Sequence, residues 1–171
     1  SEARRLITWA AAFDAYAMCD ERAETKHEAY LSAFTFDDGL TVRADKYGQL
    51  DVAGYGGICA APYIWFDIDR GSLDDALESA RRLATTLDER FSLPDNGLLA
   101  FFSGAKGFHL GLPTMSWSPT PAVDFHRTAR RFAESLAAVA GITIDTGVYD
   151  KVRAFRAPNS RHPKSSRFKR Y

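Results

Sequence analysis

The stretch Tyr63-Ile64-Trp65-Phe66-Asp67-Ile68-Asp69 constrains this chain more than any other. Its β-branched and aromatic residues favour an extended backbone, and successive side chains of a strand point to opposite faces. A strand here puts Ile64, Phe66 and Ile68 on one face, toward a core, while Tyr63, Trp65, Asp67 and Asp69 share the other. The Cα atoms of the two acids would lie roughly 6.5–7 Å apart, at ~3.3 Å per residue. Carboxylates that close repel each other unless a cation sits between them, and they suit one or two divalent ions bound through oxygen. An isolated Asp-x-Asp more often marks a strand end whose acids face water, so the pair needs companions before it carries chemistry.

The surrounding pattern describes one α+β domain over residues 1–171. Leu6, Ile7, Ala10, Phe13, Ala17 and Met18 recur at helical spacing and predict a helix over 2–23. Residues 30–36 read as a strand, Asp38-Gly39 as a turn, and Leu40–Arg43 as the returning strand. Residues 54–57 are a glycine-rich loop. Ser72 and Asp75 have capping-box spacing ahead of Leu73, Ala76, Leu77, Ala80, Leu83, Ala84 and Leu87, which predicts a helix ending before Leu93-Pro94. Leu98–Phe102 and Phe108–Leu112 are apolar strands joined by the short loop Ser103–Gly107. Pro121 opens a second helix through Phe125, Ala129, Phe132, Leu136 and Val139, closed by Gly141. A short strand, Ile142–Ile144, then delivers Asp145. Helices packed on a mixed sheet follow from that order.

Charge is balanced overall but not along the chain. Residues 1–100 hold 10 Lys+Arg against 18 Asp+Glu, and residues 101–171 hold 12 against 4. The last 21 residues carry eight Lys or Arg and no acid. Such polarity fits a polyanion against the C-terminal half, although a solvated basic tail gives the same count. No apolar run approaches the ~20 residues that span a bilayer, and a basic–apolar–small leader pattern is not found at the N-terminus. Two cysteines, Cys19 and Cys59, are too few for a disulfide framework or a four-cysteine zinc site, which points to a reducing cytoplasm.

The loop Phe102-Ser103-Gly104-Ala105-Lys106-Gly107-Phe108-His109 supplies companions for the acids. Gly104 and Gly107 let backbone N–H groups approach an anion, and Ser103 and Lys106 add a hydroxyl and an ammonium. Strand alternation puts His109 on the face opposite Phe108 and Leu110. A plain β-hairpin with turn glycines accounts for the same residues if they are taken alone.

Taken together, the motifs resemble the archaeo-eukaryotic primase superfamily. Asp67-x-Asp69 is similar to its first signature and Ser103-Gly104-x-x-Gly107-x-His109 to its second. Asp145 in Ile144-Asp145-Thr146-Gly147 is similar to its third. Lys151–Arg156 resembles eukaryotic primase-polymerases, and Ser160-Arg161-His162-Pro163-Lys164 resembles a segment of the primase small subunit. The likeness covers residues ~63–170. It implies an RRM-like mixed sheet flanked by helices and a cytoplasmic DNA primase/polymerase, nucleoid-, plasmid- or phage-associated in a prokaryote. Asp67, Asp69 and Asp145 would be the catalytic acids, binding two Mg²⁺ or Mn²⁺ ions. Ser103, Lys106, His109, Arg156 and His162 would hold the incoming nucleoside triphosphate, with Arg153, Ser160 and Lys164 as second-rank candidates. Single-stranded DNA template and primer would be the partners, and a helicase or accessory domain the continuation beyond residue 171. Two departures stand out: Ala105 replaces a basic residue of the second motif, and the absence of a cysteine knuckle predicts no zinc.

Two other functions fit parts of the pattern. A non-catalytic single-stranded nucleic-acid-binding module would use the basic tail with Phe155 and Phe168. A metal-dependent nuclease would keep the acids and cleave phosphodiesters instead.

Overall fold

The computed structural model describes residues 6–8, 11, 29–42, 50, 52 and 54–171. The predicted helix over 2–23 falls outside them, except for residues 6–8 and 11. The described chain is α+β. Its strands are β1 (Tyr30–Ser32), β2 (Thr35–Phe36), β3 (Cys59–Ala60), β4 (Tyr63–Asp69), β5 (Leu99–Phe102), β6 (Gly107–Pro113) and β7 (Ala154–Arg156). The helices are α1 (Leu73–Phe91) and α2 (Phe125–Val139).

The main sheet has the order β4-β6-β5, and every ladder among the described residues is antiparallel. β4 alternates as its sequence requires: Ile64, Phe66 and Ile68 are buried, and the intervening side chains are half-buried or exposed. The buried face packs with Leu110 and Leu112 of β6, Leu83 and Leu87 of α1, and Ala129, Ala133 and Leu136 of α2. Helices therefore cover one face of the sheet and leave Asp67 and Asp69 on the other.

Local signals set the helix ends. The Ser72 side chain caps α1 by accepting a bond from the Asp75 N–H, and it donates to the Asp75 carboxylate. At the far end of α2, Gly141 sits at φ +64°, and the Ile142 N–H reaches the Ala137 carbonyl, which is the Schellman arrangement.

Four expectations are corrected. Residues 30–36 form two short strands with a break at Ala33-Phe34, so β1 pairs with β7 and β2 with β3. Leu40–Arg43 is not a returning strand. Asp38–Val42 is a 3-10 turn, because the Asp37 carboxylate accepts N–H bonds from Gly39 and Ile58 and buried Leu40 anchors the turn. Arg43 itself lies outside the described residues. α2 begins at Phe125 rather than Pro121, since Ala122 is committed to a two-bond bridge with Cys59. Ile142–Ile144 forms no ladder; one bridge, Asp67 to Asp145, does the delivering.

Candidate active site

The register across the sheet decides which side chains meet. Asp67 lies opposite His109, and His109 opposite Phe101. On the outer side of β4, the Asp145 N–H donates to the Asp67 carbonyl at 2.9 Å. One row therefore runs Asp145, Asp67, His109, Phe101. Over it opens a cavity of about 130 Å³ lined by Asp67, Asp69, Asp145, Ser103, His109, Arg153, Arg156 and His162, with Ala105 and Phe155 among its apolar neighbours. Eight of the eleven residues singled out in the sequence thus share one pocket. The other three do not reach it. Lys106 and Lys164 are exposed outside its lining. Ser160 is fully buried, with its hydroxyl donating to the Ala157 carbonyl at 2.7 Å.

Electrostatics concentrate at Asp67. Burial, then the neighbouring charges of Asp69 and Asp145, push its carboxyl up to about 7, and Lys169 and Arg153 pull the other way. Its Oδ1 is buried without a hydrogen-bond partner among the described residues, 3.5 Å from His109 Nε2. His109 Nδ1 is likewise unpartnered. Burial first, then the Lys169 and Arg156 charges, hold the imidazole well below its usual range, so it is neutral and offers no counter-charge. A crowded, desolvated acid with an orphaned oxygen is what a cation would relieve, and an all-oxygen acid set suits a hard divalent ion. The ligand geometry is not pre-formed: among the described residues, no three His, Cys, Asp or Glu groups stand ready to hold one ion. Asp145 Oδ1 accepts the Gly147 N–H at 2.8 Å and would exchange that bond for the ion.

The anion side is built by two loops pressed together. Ser103 and Gly107 exchange backbone and side-chain bonds: the Ser103 N–H donates to the Gly107 carbonyl, and the Gly107 N–H to Ser103 Oγ at 3.2 Å. The Ser103 O–H is thereby left to donate elsewhere. Gly107 has no alternative, because a Cβ there would lie 2.0 Å from Asp69 Oδ1 and 2.5 Å from the Ile68 carbonyl. Gly104, at φ +92°, would carry a Cβ 3.2 Å from both His162 Cβ and the Arg167 carbonyl. Onto this loop folds a hairpin closed by the Arg161–Phe168 bridge, and Ser165 donates its hydroxyl to the Gly104 carbonyl. His162 Nδ1 accepts the N–H groups of Lys164 and Ser165, each at 3.2 Å, which assigns the ring proton of the neutral form to Nε2.

Sequence reasoning missed Lys169. It is 1% exposed, and burial, then Arg156, lowers its ammonium to about 7 against the pull of Asp67. Nothing in Arg167-Phe168-Lys169-Arg170-Tyr171 separates this buried lysine from its exposed neighbours. Phe155, whose ring centroid stands 4.3 Å from that of His109, was read only as a stacking candidate.

Comparison with protein-family models, with curated proteins and with solved structures returns no match for this chain. Among the described residues no helix is long and apolar enough to cross a membrane.

Proposed function

We propose that this chain is a template-directed nucleotidyl transferase of the primase–polymerase kind, adding nucleotides from nucleoside triphosphates to a strand paired with single-stranded DNA. The observation that carries the reading is the pocket that sets Asp67, Asp69 and Asp145 against Ser103, Arg153, Arg156 and His162. An acidic floor facing a basic wall matches a substrate that brings divalent cations and a polyphosphate together.

Asp67, Asp69 and Asp145 would hold Mg²⁺ or Mn²⁺, and the ions would supply charge neutralisation at the reacting phosphate. The chain's own contribution is placement. Arg153 and Arg156 offer guanidinium donors to phosphate oxygens, and Ser103 adds a hydroxyl donor. His162, its Nδ1 already engaged, adds an N–H donor. Positioning of this kind, rather than a protein nucleophile, dominates phosphoryl and nucleotidyl transfer. The exposed cations Lys106, Arg161, Lys164, Arg167 and Arg170 lie on the loop and hairpin around the pocket. They suit the phosphodiester backbone of template or primer. A helicase or accessory domain following residue 171 belongs to the same proposal.

The test is incorporation of labelled nucleotides on primed and unprimed single-stranded DNA with Mg²⁺ or Mn²⁺. Wild-type protein is expected to extend the strand, and Asp67→Ala to abolish extension while the protein stays folded. Full incorporation by Asp67→Ala would sink the proposal, and shortening of an end-labelled strand in the absence of nucleotides would mark a nuclease. The Asp145–Gly147 bond favours a second reading, a non-catalytic binder whose acids never load. Absence of acid-dependent Mn²⁺ binding would select it.

A further inference from the structure

We propose that Lys169 is a positioning residue of this pocket: a caged internal cation that fixes the strand carrying Arg156 and restrains the attraction of the acid cluster for divalent ions. The inference rests on the reading of the pocket as a metal and polyphosphate site.

The cage is specific. Lys169 Nζ stands 4.3 Å from the ring centroid of Phe155, 4.9 Å from Phe101 and 5.3 Å from Trp65. Each ring comes from a different strand, and each strand carries site residues or leads directly into them. Trp65 precedes Asp67 by two positions in β4, Phe101 precedes Ser103 by two at the end of β5, and Phe155 adjoins Arg156 in β7. The ammonium donates to the Arg156 carbonyl at 2.7 Å. Its own backbone is pinned, with the Lys169 N–H on the Ser160 carbonyl and the Asn159 N–H on the Lys169 carbonyl. One side chain therefore ties together the acid strand, the serine loop and the arginine strand.

Hydrocarbon would fill such a cage at less cost, because an ammonium taken out of water loses hydration that rings and one carbonyl only partly replace. What the charge adds is electrostatic. It acts on Asp67 and opposes the crowding of the acids, and it adds to the field that keeps His109 neutral. The same positive charge, which the ammonium carries below about pH 7, repels an incoming cation, so in that range the pocket binds a lone divalent ion less tightly than its acids would on their own.

Three variants separate the two roles. Lys169→Gln removes the charge and keeps a donor for the Arg156 carbonyl. Lys169→Met removes both, and Lys169→Arg keeps both. Mn²⁺ affinity is measured by electron paramagnetic resonance without nucleotide, and inorganic tripolyphosphate affinity by calorimetry at saturating Mg²⁺. Lys169→Gln is expected to bind Mn²⁺ roughly tenfold tighter, the order set by one charge in a buried cluster. Its tripolyphosphate affinity should weaken by only about threefold, through the lost charge alone, since the bond to the Arg156 strand is kept. Lys169→Met should tighten Mn²⁺ equally and weaken tripolyphosphate by about tenfold, the scale of one charge-assisted bond. Lys169→Arg should sit near wild type on both.

Opposite movement of the two affinities in Lys169→Met is the signature, because general loosening of the fold would weaken both. If that variant fails to melt cooperatively, the Gln and Arg pair decides the matter. Unchanged or weaker Mn²⁺ binding by Lys169→Gln overturns the inference while leaving the proposed function standing. If wild-type protein binds no Mn²⁺, the metal reading falls first and takes this inference with it.

Discussion

Behind β4 the pocket rests on hydrocarbon, with Ile64, Phe66 and Ile68 sealed under α1 and α2, whereas the segment 151–171 that closes it buries Lys151, Asn159, Ser160 and Lys169. The two sides are held by different physics. Hydrocarbon burial has no direction, so alternation along one strand suffices to organise it. The C-terminal side depends on individual bonds. Lys151 donates to the carbonyls of Gly57 and Val123, and its ammonium lies 5.2 Å from the Tyr55 ring centroid. Lys169 donates to the Arg156 carbonyl, and Arg170 exchanges two backbone bonds with Phe102 at the sheet edge. The candidate site lies on the seam, where charged groups meet an interior that solvates them poorly. That is why Asp67, in the pocket, is pushed up, and Lys169, buried against Phe155 of its lining, is pushed down.

The contrast can be broken experimentally. Phe66→Ala, at the centre of the hydrocarbon side, should cost about 3–5 kcal/mol, read by urea unfolding. A loss near the value of a surface substitution would mean that β4 is not the keystone of the core.

Asp67→Asn should act in the opposite direction, and only over part of the pH scale. The native carboxyl titrates near 7 against an ordinary value of 3.8, so the folded protein holds a proton that the unfolded chain gives up. Stability of metal-free wild type should therefore fall as pH rises from about 4 to about 7. Asp67→Asn should flatten that decline, standing a few kcal/mol above wild type at pH 8 and level with it below pH 4. Saturating Mn²⁺ should recover the wild-type loss. Parallel curves for the two proteins would show that Asp67 is not crowded.

Ser160→Ala probes the polar side with the smallest expected effect. Its hydroxyl bond to the Ala157 carbonyl is worth about 1 kcal/mol. A loss as large as that of Phe66→Ala would mean that the C-terminal segment is as central to folding as the sheet, and the comparison would fail.

How much of this was legible beforehand differs between the same two sides. β4, β5, β6 and α1 follow from alternation, apolar runs and a capping box, because each signal is local and the core reads it directly. Residues 151–171 read as basic and turn-rich, with no hint of β7, since Ala154–Arg156 becomes a strand only by pairing with Tyr30–Ser32. The resemblance implies Lys106 for the phosphate cradle and Lys164 as a second-rank candidate, yet a motif does not say which way a loop side chain leaves the backbone. Ser160 carried a motif's polarity and spends it on a local turn.

The sequence by itself determined that two acids leave β4 on one face, that a glycine loop follows between two apolar strands, and that a third acid ends the run after α2. These are consequences of local periodicity and turn chemistry. Only the tertiary structure decided that Asp145 lies beside Asp67, that His109 is neutral, and that Lys151 and Lys169, two of the eight C-terminal cations, are buried. Each of those depends on burial and on partners distant in the chain, and neither quantity is written in any single stretch of residues.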